Sequence, residues 1–104
     1  MNQEEAKAIL SEKLSSLREL SYEDLRDRYL EEAGFLRQAQ KAENLEVQGP
    51  SGTRYQVETQ VFWDGQRGDS LRVIVSVDDG SRWRRILPLT EGYIIAPDGT
   101  FIDE

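Results

Sequence analysis

The side chains most often recruited for catalysis are missing here: the 104 residues include neither His nor Cys. That removes the imidazole base, the thiolate nucleophile, the usual triads and any Cys or His metal ligand. It also removes any disulfide. Chemistry would fall to carboxylates, hydroxyls, Lys and Arg. Asp78 and Asp79 are adjacent acids, but neighbours in a tight turn point apart and face water. Asp98, in Pro97-Asp98-Gly99, is a turn residue of the same kind. Asp64 and Asp69 could offer oxygens to a hard cation, yet they lack the spacing of a calcium loop. Gly65-Gln66-Arg67-Gly68 lacks the Lys-Ser/Thr ending of a phosphate loop and opens no helix. Ser15, Ser16 and Ser21 occupy helix-surface or cap positions with no base nearby. No constellation supports an enzyme, and no metal or cofactor is expected.

What remains is the chemistry of recognition, carried by Arg, aromatic and aliphatic side chains, and secondary structure decides where these point. Residues 1–43 contain one Gly and no Pro, whereas 44–104 hold seven Gly, all three Pro and both Trp. Ala6, Ile9, Leu10, Leu14, Leu17 and Leu20 recur at helical spacing behind an Asn2 cap. Ser21-Tyr22-Glu23-Asp24 resembles a capping box and opens a second helix through Leu25, Tyr29, Leu30 and Ala33, which Gly34 ends or bends. Phe35 to Ala42 could add another helical turn or two.

Strands follow. Tyr55, Val57, Thr59, Val61 and Trp63 alternate with Gln56, Glu58 and Gln60. Gly49-Pro50-Ser51-Gly52 turns the chain so that Val47 nears Tyr55, and Pro97-Asp98-Gly99 pairs Ile95 with Phe101 and Ile94 with Ile102. Asp78-Asp79-Gly80 suits a three-residue hairpin loop, which places Val77 opposite Ser81, Val75 opposite Trp83 and Leu71 opposite Leu87. Trp83 is then a buried neighbour of Val75. The expected architecture is a single α+β domain over 1–104. Two N-terminal helices pack on one face of a four- to six-stranded antiparallel meander sheet, the face carrying the odd-numbered apolar residues.

The even-numbered face should be polar if it only meets water. It carries Gln56, Glu58 and Gln60, but also Phe62, Arg72, Ile74, Arg84 and Ile86. Aromatic and Arg side chains are enriched at interfaces, which makes these five a candidate partner-binding face. In the expected register Ile74 faces Arg84 and Arg72 faces Ile86. Arg85 falls on the core side opposite Val73, where it needs a carboxylate: Glu23 or Asp27 of the chain, or the anion of a small ligand. The last hairpin is apolar on both faces, and Ile94 with Ile102 would suit a twofold homodimer.

Tyr55-Gln56-Val57-Glu58 through Phe62-Trp63-Asp64, the Val73–Asp79 strand, Pro88-Leu89-Thr90 and Ile95-Ala96-Pro97-Asp98-Gly99-Thr100-Phe101 resemble a family of short, uncharacterised bacterial α+β proteins. In that family a helical N-terminus precedes a small sheet ending in such a hairpin. The resemblance implies a bacterial, cytoplasmic domain and carries no functional residues with it.

Charge narrows the partners. Twenty acids against thirteen bases give a net charge of −7, which excludes sequence-independent binding to nucleic acid and argues against anionic lipid surfaces. No apolar run approaches the roughly 18 residues of a membrane span, and none resembles a signal peptide. The sequence therefore points to a cytoplasmic, non-catalytic protein-binding domain. A small-molecule site between helices and sheet around Arg85, or an antidote that neutralises a basic toxin, are the alternatives.

Overall fold

The computed structural model describes residues 3–30, 43–66, 68–79 and 89–102. Helix α1 spans Gln3–Arg18 and α2 spans Tyr22–Tyr29. Five strands follow, β1 (Glu43–Gln48), β2 (Arg54–Asp64), β3 (Ser70–Asp78), β4 (Leu89–Ile95) and β5 (Phe101–Ile102). They form one antiparallel sheet in chain order. This is the expected α+β architecture, with the N-terminal helices on the odd face.

The stripe on α1 buries Ala6, Leu10, Leu14 and Leu17, each within 4% of full burial. Against them stand Leu71, Val73, Val75 and Val77, none with any exposure. Each Leu so buried stabilises the fold by about 2 kcal/mol relative to leaving it in water. The Ser21 side chain accepts the Asp24 amide at 3.0 Å and starts α2 as the capping pattern requires. Leu30 caps the other end; Ala33, Gly34 and the expected further turns over Phe35 to Ala42 lie outside the described residues.

Both flanking hairpins keep the expected register, Val47 with Tyr55, and Ile95 with Phe101. At their tips Gly52 and Gly99 adopt φ near +90°, which only glycine reaches without strain. The middle pairing differs. Val77 lies opposite Leu89, Val75 opposite Glu91 and Leu71 opposite Ile95, rather than Ser81, Trp83 and Leu87. Asp78, expected in a solvated turn, is instead the last residue of β3 and 9% exposed, and residues 80–88, which join β3 to β4, lie outside the described ones. Both registers place odd residues opposite odd ones, so alternation alone cannot separate them. A strand has two edges, and pairing with Leu89–Ile95 seats Tyr93 and Ile95 in the core, 5% and 2% exposed. Trp83 and Arg85 lie outside the described residues; Val75 is flanked by Thr59 and Glu91, and Val73 by Val61 and Tyr93.

Gly92 makes this pairing feasible. It lies opposite Ile74, and a Cβ there would fall on the Val73 carbonyl oxygen. Gly92→Ala should therefore cost about 1–3 kcal/mol, read as a lower urea midpoint with an unchanged slope. An unchanged midpoint would contradict the close approach of β3 and β4.

A single carboxylate ties α1 to the first hairpin. Glu5 Oε1 accepts the Ser51 hydroxyl at 2.8 Å and the Tyr55 hydroxyl at 2.9 Å, while Oε2 accepts the Ser51 amide at 3.0 Å. Its side chain lies flush on Gly49, where a Cβ would collide with it. Burial pushes the Glu5 carboxyl up, but these hydrogen bonds outweigh it and hold the group below its ordinary value of 4.5. On acidification the unfolded chain takes the proton first, so the stabilisation is full above 4.5 and is lost as pH falls through the folded value. Glu5→Gln should thus lower stability at neutral pH, and its gap from wild type should close under acid. A gap independent of pH would assign the effect to packing instead.

Candidate functional site

On the even face the register assembles a continuous row. Phe62 of β2 lies opposite Arg72 of β3, Arg72 opposite Ile94 of β4, and Ile94 opposite Ile102 of β5. Ile74 sits one step along β3, between Gln60 and Gly92. Both helices pack on the other side: the core cluster that holds their buried residues takes only odd-numbered residues from the strands. Phe62, Arg72 and Ile74 are half-buried, Ile94 is 5% exposed and Ile102 is 41% exposed.

The two surfaces that the sequence suggested separately, Phe62/Arg72/Ile74 for a partner and Ile94/Ile102 for a dimer, are thereby one band. Its continuity was hidden because the expected hairpin put Arg84 opposite Ile74 and Ile86 opposite Arg72. The structure places Gly92 and Ile94 there instead, and Arg84 and Ile86 lie outside the described residues. The signal that could have exposed it is the unbroken run Tyr93-Ile94-Ile95, which reads as a strand buried on both faces.

Within the band the Arg72 guanidinium closes on Asp64 Oδ1, with Nη2 at 3.1 Å and Nε at 3.2 Å. The aliphatic stem of Arg72 then lies among apolar neighbours while its charge is offset locally. Asp64 is thus engaged by Arg72, and Asp69 Oδ2 accepts the Gln66 amide at 3.0 Å, which shapes the β2–β3 loop. Among the described residues no three carboxylates gather to hold a metal ion. Asp98 Oδ1 accepts the Thr100 amide at 2.9 Å, which holds its carboxyl below the ordinary value in a turn role. Towards the other end of the face the residues turn polar: Glu58 opposite Ser76, Ser76 opposite Thr90, and Glu46 ion-paired with Arg54 at 3.4 Å.

A second polar concentration lies between helices and sheet. Lys13 Nζ reaches Glu43 Oε1 at 2.7 Å, and the Tyr29 hydroxyl donates to the same oxygen at 3.4 Å, so both helices meet edge strand β1 at one carboxylate. Burial first, and then the Glu43 charge, push the Tyr29 phenol up to about 12. Burial does the same to Tyr93, also to about 12, while Arg18, whose guanidinium carbon is 5.1 Å from the ring centroid, works in the opposite direction. At the other end of α2, the Tyr22 hydroxyl donates to the Asp69 carbonyl at 2.6 Å. Beside Glu43, Thr59 is fully buried and its hydroxyl has no hydrogen-bond partner among the described residues.

This node joins elements rather than presenting groups to a substrate. Thr59→Val, which keeps the shape and removes the orphan hydroxyl, should leave stability equal or raise it by up to about 2 kcal/mol. A loss of stability in thermal unfolding would show that the hydroxyl is satisfied after all.

Fold and site together define an α+β domain with one helix-covered sheet face and one face bearing an aromatic–Arg–aliphatic band. No known protein family, curated protein or solved structure matches the chain. No described helix is long and apolar enough to cross a membrane.

Proposed function

We propose that this is a non-catalytic, cytoplasmic protein-binding domain that docks its partner on the even face of its sheet. The observation that carries this reading is the row Phe62–Arg72–Ile94–Ile102, which runs across four strands on the side opposite both helices. A face that only met water would alternate its buried side with polar residues. This one instead brings together residue types that concentrate in interface cores. The absence of His and Cys supports the non-catalytic part of the reading. The resemblance to short bacterial α+β proteins supports the cytoplasmic part.

Affinity capture from the native host, with wild type compared to a Phe62→Gln/Ile102→Asp variant, tests the proposal. The variant should fold, as judged by circular dichroism, and lose a partner that wild type retains. Equal recovery by both would refute the even face as the docking surface. A twofold assembly through the same band would appear as a dimer in sedimentation that Ile102→Asp dissolves.

A further inference from the structure

The even-face band is not equally open along its length. Ile94 is almost closed off, whereas Ile102, at the end of the row, is 41% exposed. Its neighbour Phe101, on the other side of β5, is 48% exposed. Phe101 is held there by Tyr93, whose ring it meets edge to face with centroids 5.5 Å apart. Apolar exposure thus collects on both sides of one strand, and among the described residues β5 is an end of the sheet.

The backbone of that strand points the same way. The Thr100 carbonyl accepts the Ala96 amide at 2.8 Å, and hydrogen-bonded pairs alternate along an antiparallel ladder. Ile95 and Phe101 are therefore a non-hydrogen-bonded pair, and the Phe101 amide and carbonyl face away from β4. Sheets blunt such edges with charge, Pro or a bulge. The opposite edge, β1, carries Glu43 and Glu46. Thr100-Phe101-Ile102 carries neither charge nor Pro. Acids stand on either side of it instead: Asp98 at the hairpin tip, and Asp103 and Glu104, which follow Ile102 in the chain.

Taking the even face as the docking surface, we infer that the partner enters it by adding an extended strand beside β5. One partner residue exchanges both backbone hydrogen bonds with Phe101. The side chains of that strand continue the row past Ile102 on one face and cover Phe101 on the other. The segment that fits is apolar over two or three consecutive residues and bounded by Lys or Arg, the charge complement of Asp98, Asp103 and Glu104. A second copy of β5 fits poorly. Antiparallel pairing about Phe101 would set Asp98 opposite Glu104 of the second copy, and the reverse, so like charges would meet at both ends.

The test uses the isotope-labelled full chain and three peptides: Lys-Val-Ile-Val-Lys, its counterpart with Glu for Lys, and its counterpart N-methylated at Val, Ile and Val. The Lys peptide should shift the Phe101 and Ile102 amides and slow hydrogen exchange at Phe101. The N-methylated peptide, whose apolar residues have no amide proton to donate, should leave that exchange fast. Phe101→Lys, which charges the edge, should weaken binding at least about tenfold with the fold retained by circular dichroism. Leu45→Lys on the opposite edge, where Leu45 is also exposed, should leave binding unchanged. Equal binding of the N-methylated peptide would overturn strand addition, and equal binding of the Glu peptide would overturn the basic partner. Shifts confined to Phe62 and Ile74, with Phe101 exchange still fast, would leave the docking face standing and remove the added strand. If no peptide moves β5, the added strand is refuted, and affinity capture decides the docking face separately. Phe101 exchange that slows with protein concentration alone would make a second copy the occupant and overturn the basic partner.

Discussion

Strand β3 is the member against which every other part of the domain is placed. One edge binds β2 and the other binds β4. Its odd face, Leu71 to Val77, has no exposure at all, because α1 closes over it. Two edges and one face are thus committed to the fold, and only the even face of β3 remains, with Arg72 and Ile74 upon it. The β-branched residues of this strand suit such a place, since they pack on a pleated surface and lose little freedom there.

Two different kinds of signal set the sheet, and they were not equally readable. Alternation of apolar and polar residues assigned each side chain to a face, and it did so for Tyr55 to Trp63 and Leu71 to Val77 as the structure has them. Pairing along the strands depended on turn chemistry, which was decisive at Gly52 and Gly99. Asp78-Asp79-Gly80 offered equally plausible turn residues, yet β3 pairs with a strand beginning eight residues beyond the expected partner of Val77. An even shift keeps every side chain on its face, so nothing in the pattern opposes it. What distinguishes the two registers is the burial gained by Tyr93 and Ile95 and the tolerance of Gly92 for a close backbone, both consequences of three-dimensional packing.

For the same reason the candidate site was half legible. Phe62, Arg72 and Ile74 could be assigned to the even face from parity alone, and Ile94 with Ile102 from their hairpin. That these form a single band depends on the β3–β4 register, the one relation that local sequence did not carry. The polar node around Glu43 was also out of reach, since Lys13, Tyr29 and Glu43 come from three separate segments. None of the three has a sequence neighbour that marks it as a partner of the others.

The order of elements along the chain has a consequence for how the molecule comes into being. Helix α1 is made before the sheet, but the surface it covers belongs to β3 and β4, whose Val73 and Tyr93 lie 56 and 76 residues beyond Leu17, its last buried residue. Even its anchor at Glu5 waits for Ser51, 46 positions on. During synthesis the stripe of Ala6, Leu10, Leu14 and Leu17 therefore has no native surface to cover until most of the sheet has left the ribosome. A helix of this length is marginal in water on its own. Folding is consequently a late and collective event, in which a helix translated before the sheet finds its place only once the sheet is there.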